Sequence, residues 1–201
     1  MNLEEWQIKW QRIISGEIMF EIHAKIPKSG KCVKLVPLTK PYLKRTDYLS
    51  LITAWRKKYN KFFFSDFEPT IEKTKIWLES SFLSSSKNLF FLLIFQDELI
   101  GHYAFKNLNN ESVFLDNLVK GIHGGHAKII ETTVIKLIDW LFDNFFINQV
   151  NGTVLADNPY AIISNKKIGF NFSEKILCPN TNKEYYNINI TRIEWEKNAR
   201  N

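Results

Sequence analysis

Two cysteines, Cys32 and Cys178, are all the thiol chemistry that 201 residues carry. That is too few for a disulfide framework or a cysteine-built metal site. Long apolar runs are also missing: none approaches the roughly 18 residues needed to span a bilayer, so no membrane partner is expected. The first residues, Met1-Asn-Leu-Glu-Glu-Trp6, are acidic and lack the basic and apolar regions of a secretory signal. These absences lead us to expect a cytoplasmic protein. Asn151-Gly-Thr153 and Asn189-Ile-Thr191 then match the glycosylation pattern by chance. Basic charge is present but dispersed. The net charge is +6, yet the tight basic clusters are only Lys44-Arg45, Lys57-Lys58 with the adjoining Arg56, and Lys166-Lys167. There is no basic arm and no helix-turn-helix, zinc or RNP signature, so no nucleic-acid partner is expected. A mildly basic surface also suits small polyphosphates. The chain has no G-x-G-x-x-G unit followed by an acid and no G-x-x-x-x-G-K-[ST] loop, which excludes the common dinucleotide and P-loop readings.

What the chain does have is apolar material, 45% of it, enough for one domain with a sizeable core. Residues 3–14 place Trp6, Trp10 and Ile13 on one helical face. Residues 1–30 therefore read as a helical extension that packs on the core or mediates a homodimer contact. From residue 33 the pattern gives a strand (33–38), helical pieces (41–60) that include Trp55-Arg56, and an aromatic stretch (59–67). A helix follows at 70–84, with Thr70 as its cap. Strands are expected at 89–95, 99–105 and 112–119, joined by tight turns, as an antiparallel meander.

The stretch from 115 to 170 organises the rest. After the third meander strand comes Lys120-Gly-Ile-His-Gly-Gly-His-Ala127, a turn by composition. It feeds a helix (128–146) whose Ile130, Val134, Leu137, Ile138, Leu141, Phe142 and Phe145 share one face. A glycine-rich turn opening a helix is an anion site, because free N–H groups and the helix dipole both favour negative charge. A strand at 150–156 leads to Asp157-Asn-Pro-Tyr-Ala, where Asn158 caps a helix, Pro159 takes its first position and Gly169 ends it. Two strands, 172–177 and 184–195, close the chain.

Gly125-His-Ala127, followed by Asn158, Ala161, Ile162, Lys167, Gly169 and Phe170 at this spacing, resembles the acyl-CoA-binding core of the GNAT N-acetyltransferase superfamily. The likeness covers residues 31–195, with 196–201 as a tail. Trp55-Arg56, Val36-Pro-Leu38 and Asp116-Asn117 are similar to the RimJ-like and nucleotide-aminosugar branch. The resemblance implies an α/β (α+β) fold. Its central sheet would be mixed, mostly antiparallel and twisted, of six to seven strands flanked by helices, with a V-shaped splay between the fourth and fifth core strands. It implies acetyl-CoA as co-substrate and no metal. Leu118 and Val119 would offer backbone to the pantetheine arm. Gly121, Ile122, His123, Gly124, Gly125, His126, Ala127 and Lys128 would wrap the pyrophosphate, with Asn158 on the far side. A small-molecule amine would attack the thioester directly, its acceptor wall including Arg56 and Tyr59. An amine must shed a proton, and Asp116 is the first candidate for the base, His102 the second. The chain departs from the family pattern at two positions. Ile122 falls where a basic residue or glutamine is usual, and Asn165 falls on the usual general-acid tyrosine. The leading acceptor is a nucleotide-linked aminosugar or similar metabolite. A protein N-terminus, an aminoglycoside, or a non-catalytic acyl-CoA-binding module are the alternatives.

Overall fold

The computed structural model describes residues 1–64, 67–122 and 128–198. Among them, one mixed sheet of eight strands runs through the molecule in the order β1-β2-β3-β4-β5-β6-β8-β7. The strands are β1 (Ile22–Lys25), β2 (Cys32–Pro37), β3 (Leu89–Phe95), β4 (Glu98–Lys106), β5 (Ser112–Lys120), β6 (Gln149–Leu155), β7 (Asn171–Leu177) and β8 (Glu184–Thr191). Neighbours pair antiparallel except β5 with β6, which are parallel and joined through a helical crossover.

Every residue of β3 is apolar and buried, as expected of a strand covered on both faces. Its alternation divides the core in two. Leu89, Phe91 and Leu93 face α1 (Leu3–Ser15) and α4 (Ile129–Asn144) in the larger cluster. Phe90, Leu92 and Ile94 face α2 (Thr46–Lys58) and α3 (Ile71–Leu78) in the smaller one. Among the α4 residues of the larger cluster, Val134, Leu137 and Leu141 are spaced for the apolar stripe read from the sequence.

The segment 1–30, expected to be a helical extension, supplies parts of both core and sheet. Trp6 and Trp10 stack 5.3 Å apart and are about as buried as any residue in the protein. β1 adds an eighth strand at the sheet edge, beyond the six or seven expected. Its signal was too short to detect: Ile22 and Ala24 point inward while His23 and Lys25 point out, over four residues.

The expected strand at 184–195 needs correcting. β8 ends at Thr191, and Arg192–Asn198 form a helix, α6. Thr191 and Glu194 close a reciprocal cap. The Glu194 amide donates to Thr191 Oγ1 at 3.3 Å, and the Thr191 amide donates to Glu194 Oε2 at 2.8 Å. The Thr-x-x-Glu pattern was legible, but the alternating Tyr186, Ile188 and Ile190 before it masked it. Arg192 then ties α6 to the end of α4, donating to the carbonyls of Phe142, Phe145 and Ile147 at 2.7–3.0 Å. Among the described residues no helix is long and apolar enough to cross a membrane.

Candidate active site

β5 and β6 stay together for four pairs only, from Ser112↔Gln149 to Leu115↔Gly152. β5 then runs on to Lys120 and β6 to Leu155 without pairing to each other. The cause lies within β5. Where β4 advances from His102 to Ala104, β5 passes from Val119 to Asp116, one residue more. The surplus is a bulge, with Asn117 in the left-handed region at φ 50. A bulge bends the strand that carries it, and asparagine tolerates this conformation better than most residues. The result is the expected V-shaped gap, between β5 and β6. Leu118 and Val119 lie on its unpaired stretch.

Two aromatic side chains fasten α2 to the end of β5. The Trp55 indole occupies the space beside Gly121 so closely that a Cβ there would lie 1.9 Å from the ring. The Tyr59 hydroxyl donates to the Lys120 carbonyl at 3.2 Å. Glycine at 121 is therefore required by Trp55, whatever the turn binds. Ile122 packs against the larger core. His123, Gly124, Gly125, His126 and Ala127 lie outside the described residues. Lys128 is the N-cap of α4, and among the described residues no side chain makes the capping hydrogen bond, so the first-turn N–H groups of α4 carry no side-chain cap there.

The two base candidates occupy different settings. Asp116 is engaged by three donors: Lys106 Nζ at 2.5 Å, the Asn117 amide at 2.9 Å and Asn117 Nδ2 at 2.6 Å. A carboxylate offers about four lone-pair sites, so little acceptor capacity remains. His102 is fully buried, stacked on Phe90 at 4.9 Å, with Trp55 at 6.3 Å. Its Nδ1 meets the Asn117 carbonyl at 2.9 Å. A carbonyl can only accept, so Nδ1 carries the proton and Nε2 is a lone pair, which has no partner among the described residues. Burial lowers the imidazole pKa to about 3, against a smaller raising effect of that hydrogen bond. His102 is neutral at physiological pH.

Arg56, one residue after Trp55, is 9% exposed and lies 3.7 Å over the Trp77 ring and 4.6 Å from Phe67. Its Nε and Nη1 are buried without partners among the described residues. Burial lowers its pKa to about 10, which leaves it charged at neutral pH. Trp77, its support, carried no signal beyond helical spacing. Asn158 caps α5 (Pro159–Ile168), accepting from the Ala161 amide at 3.2 Å. Gly169 ends that helix at φ 104. Asn165, at the usual tyrosine position, donates to the Ala161 carbonyl at 2.8 Å and so serves the helix. Among the described residues no group of three His, Cys, Asp or Glu side chains is placed to hold a metal ion.

No family model matches the sequence, and no curated protein matches it. Solved structures match the fold. A probable GNAT-family acetyltransferase from Chromobacterium violaceum superposes with a TM-score of 0.68 at 13% identity, covering 88% of this chain and 93% of its own. Microcin C7 self-immunity acetyltransferase MccE, in complex with acetyl-CoA and AMP, gives 0.66 at 16% identity over 79% and 92%. Spermidine N-acetyltransferase from Vibrio cholerae, with CoA and spermine, gives 0.67 at 13% over 82% and 98%. The chain has the GNAT fold. Within that fold, the β5–β6 gap presents unpaired strand backbone to any extended, amide-bearing ligand. The GNAT scaffold here also sets a helix start at the gap's end and a polar, partly unsatisfied layer beneath α2.

Proposed function

We propose that this protein is an acetyl-CoA-dependent N-acetyltransferase acting on a primary amine of a small molecule. The observation that carries the reading is the gap: β5 and β6 part after Leu115 and Gly152, beside an uncapped helix start. The pantetheine arm carries two amides and is extended, so the free strand edges at Leu118 and Val119 suit it. The pyrophosphate belongs at the start of α4, with the turn 121–128 around it. The chain supplies geometry above all, since holding amine and thioester in line provides much of the rate gain. In the reaction the amine nitrogen forms a bond to the acetyl carbon, the carbon–sulfur bond breaks, and the thiolate leaves. One amine proton must depart. Asp116 and His102 remain the candidates to receive it, His102 with a vacant lone pair of low basicity and Asp116 with a carboxylate already engaged by three donors.

The finer reading of the acceptor is a nucleotide-linked aminosugar or similar metabolite, from a RimJ-like ancestry. Support comes from the Trp55-Arg56 pair beside the gap and from one fold neighbour, MccE, that binds AMP with acetyl-CoA. Protein N-termini and aminoglycosides are the competing acceptors. Two cysteines without disulfides accord with a cytoplasmic setting.

Calorimetric titration with acetyl-CoA, followed by a free-thiol release screen over amine acceptors, tests the reading. Micromolar binding with thiol release on one acceptor class is expected. Binding without turnover on any acceptor would favour a non-catalytic acyl-CoA module, and no binding would overturn the cofactor assignment.

A further inference from the structure

The geometry points to an oxyanion seat at Arg56, beneath α2 and α3, so that the amine acceptor carries a carboxylate or phosphate and is not a polyamine. The term acceptor rests on the acyltransferase reading; the anion seat does not. Arg56 is a buried cation without a counter-ion among the described residues. Among the described residues it makes no hydrogen bond, and no Asp or Glu lies within ion-pair distance of it. A buried charge left unpaired is costly enough to call for an explanation. Trp77 and Phe67 compensate in part, their ring centroids lying 3.7 and 4.6 Å from the guanidinium carbon. Among the described residues Nε and Nη1 are left without a partner, and the guanidinium N–H fork is the group that binds carboxylate and phosphate.

The surroundings are prepared for a polar guest. Of seven buried side-chain polar atoms without partners among the described residues, five belong to this layer: Arg56 Nε and Nη1, Asn60 Oδ1, Thr74 Oγ1 and His102 Nε2. Asn60 Nδ2 holds the Phe67 carbonyl at 3.0 Å, fixing the ring that lies against Arg56. His102 Nε2 can only accept, so it suits a hydroxyl or amine hydrogen on an atom near the anion. The layer also adjoins the gap. Trp55 abuts Gly121 at the start of the turn, and His102 binds the carbonyl of the bulge residue Asn117. A permanent cation there repels a polyamine and attracts an anionic amine. One fold neighbour acts on spermidine; the seat assigns this chain the opposite charge preference.

Matched acceptors in the thiol-release assay test the charge class. Glucosamine 6-phosphate against glucosamine probes phosphate, alanine against alaninamide probes carboxylate, and spermidine probes the polyamines. In at least one pair the anionic member should be favoured about ten- to a hundredfold in kcat/KM, as one charge-assisted contact allows. Arg56→Met should erase the preference, with acetyl-CoA binding and the melting temperature reporting that the variant is folded. Equal use of the neutral members, efficient use of spermidine, or a preference that survives Arg56→Met overturns the acceptor assignment. A second readout needs no turnover. Inorganic phosphate or acetate should perturb tryptophan fluorescence in the wild type, less so in Trp77→Phe, and not in Arg56→Met. Failure to bind acetyl-CoA would remove the acyltransferase reading and leave this titration to decide the seat. Absence of any Arg56-dependent anion response overturns the seat itself.

Discussion

The two faces of the sheet solve the same packing problem with different degrees of completeness. The α1/α4 face is a broad apolar core from Trp6 to Trp195, in which a single buried side-chain polar atom, Trp10 Nε1, lacks a partner among the described residues. Two of its other indoles are engaged. Trp6 Nε1 donates to the Ser86 carbonyl at 3.1 Å, and Trp195 Nε1 donates to Asp139 Oδ1 at 2.9 Å. The α2/α3 face is smaller and encloses a charged guanidinium, an imidazole and a hydroxyl with unmet hydrogen-bonding capacity. Buried polar groups are ordinarily satisfied, so a cluster of exceptions on one face and not the other is informative. One face carries stability. The other gives up some of it where α2 meets the end of β5.

The largest effect belongs to the complete face. Leu137 is wholly buried in the middle of α4. Leu137→Ala should lower unfolding free energy by about 2–5 kcal/mol, since a dense core refills such a cavity poorly. Urea unfolding measures it, and a loss below about 1 kcal/mol would show that this face is looser than its packing indicates. The incomplete face should reveal itself through pH. In the unfolded chain His102 titrates near 6.5, whereas in the folded chain burial holds its pKa at about 3. Above pH 6.5 both states are neutral and no penalty arises. As pH falls from 6.5 the unfolded state takes up a proton that the folded state refuses, so stability falls by up to about 1.4 kcal/mol per pH unit. His102→Leu should flatten that decline between pH 6.5 and 5, a window in which carboxylates contribute little. An unchanged slope would place the acid sensitivity elsewhere.

Residues that act locally were readable. Asn158, Pro159 and Gly169 fixed α5 through capping chemistry confined to a dozen positions, and continuous apolarity marked β3. The gap was expected from resemblance, whereas its physical cause, Asn117 at positive φ, depends on register across two strands and leaves no periodic trace. Likewise, Gly121 was read as a turn glycine, but what forbids a side chain there is an indole 66 positions earlier. Arg56 and His102 were singled out one at a time, as part of the acceptor wall and as the second candidate for the base. That the two share one unsatisfied layer is a tertiary fact. Asp116 illustrates the same limit: Lys106, its ion-pair partner, is ten residues away and adjacent only because β4 and β5 form a hairpin.

The smallest effect discriminates most finely between the faces. Thr74 lies on α3, three residues before Trp77 and so on a neighbouring stretch of the same helical surface. It is 1% exposed, and its Oγ1 has no partner among the described residues. Valine has nearly the same shape without the hydroxyl. If the layer is dry, Thr74→Val removes a desolvated polar atom and should stabilise the protein by about 1 kcal/mol. If the hydroxyl serves a polar guest beneath α2, the same change should weaken binding of the anionic acceptor while leaving the resting protein as stable or more so. The two readouts separate a group retained for packing from one retained for binding. A loss of stability would mean that an ordered water already satisfies Oγ1, and that this face is more complete than its side chains alone make it.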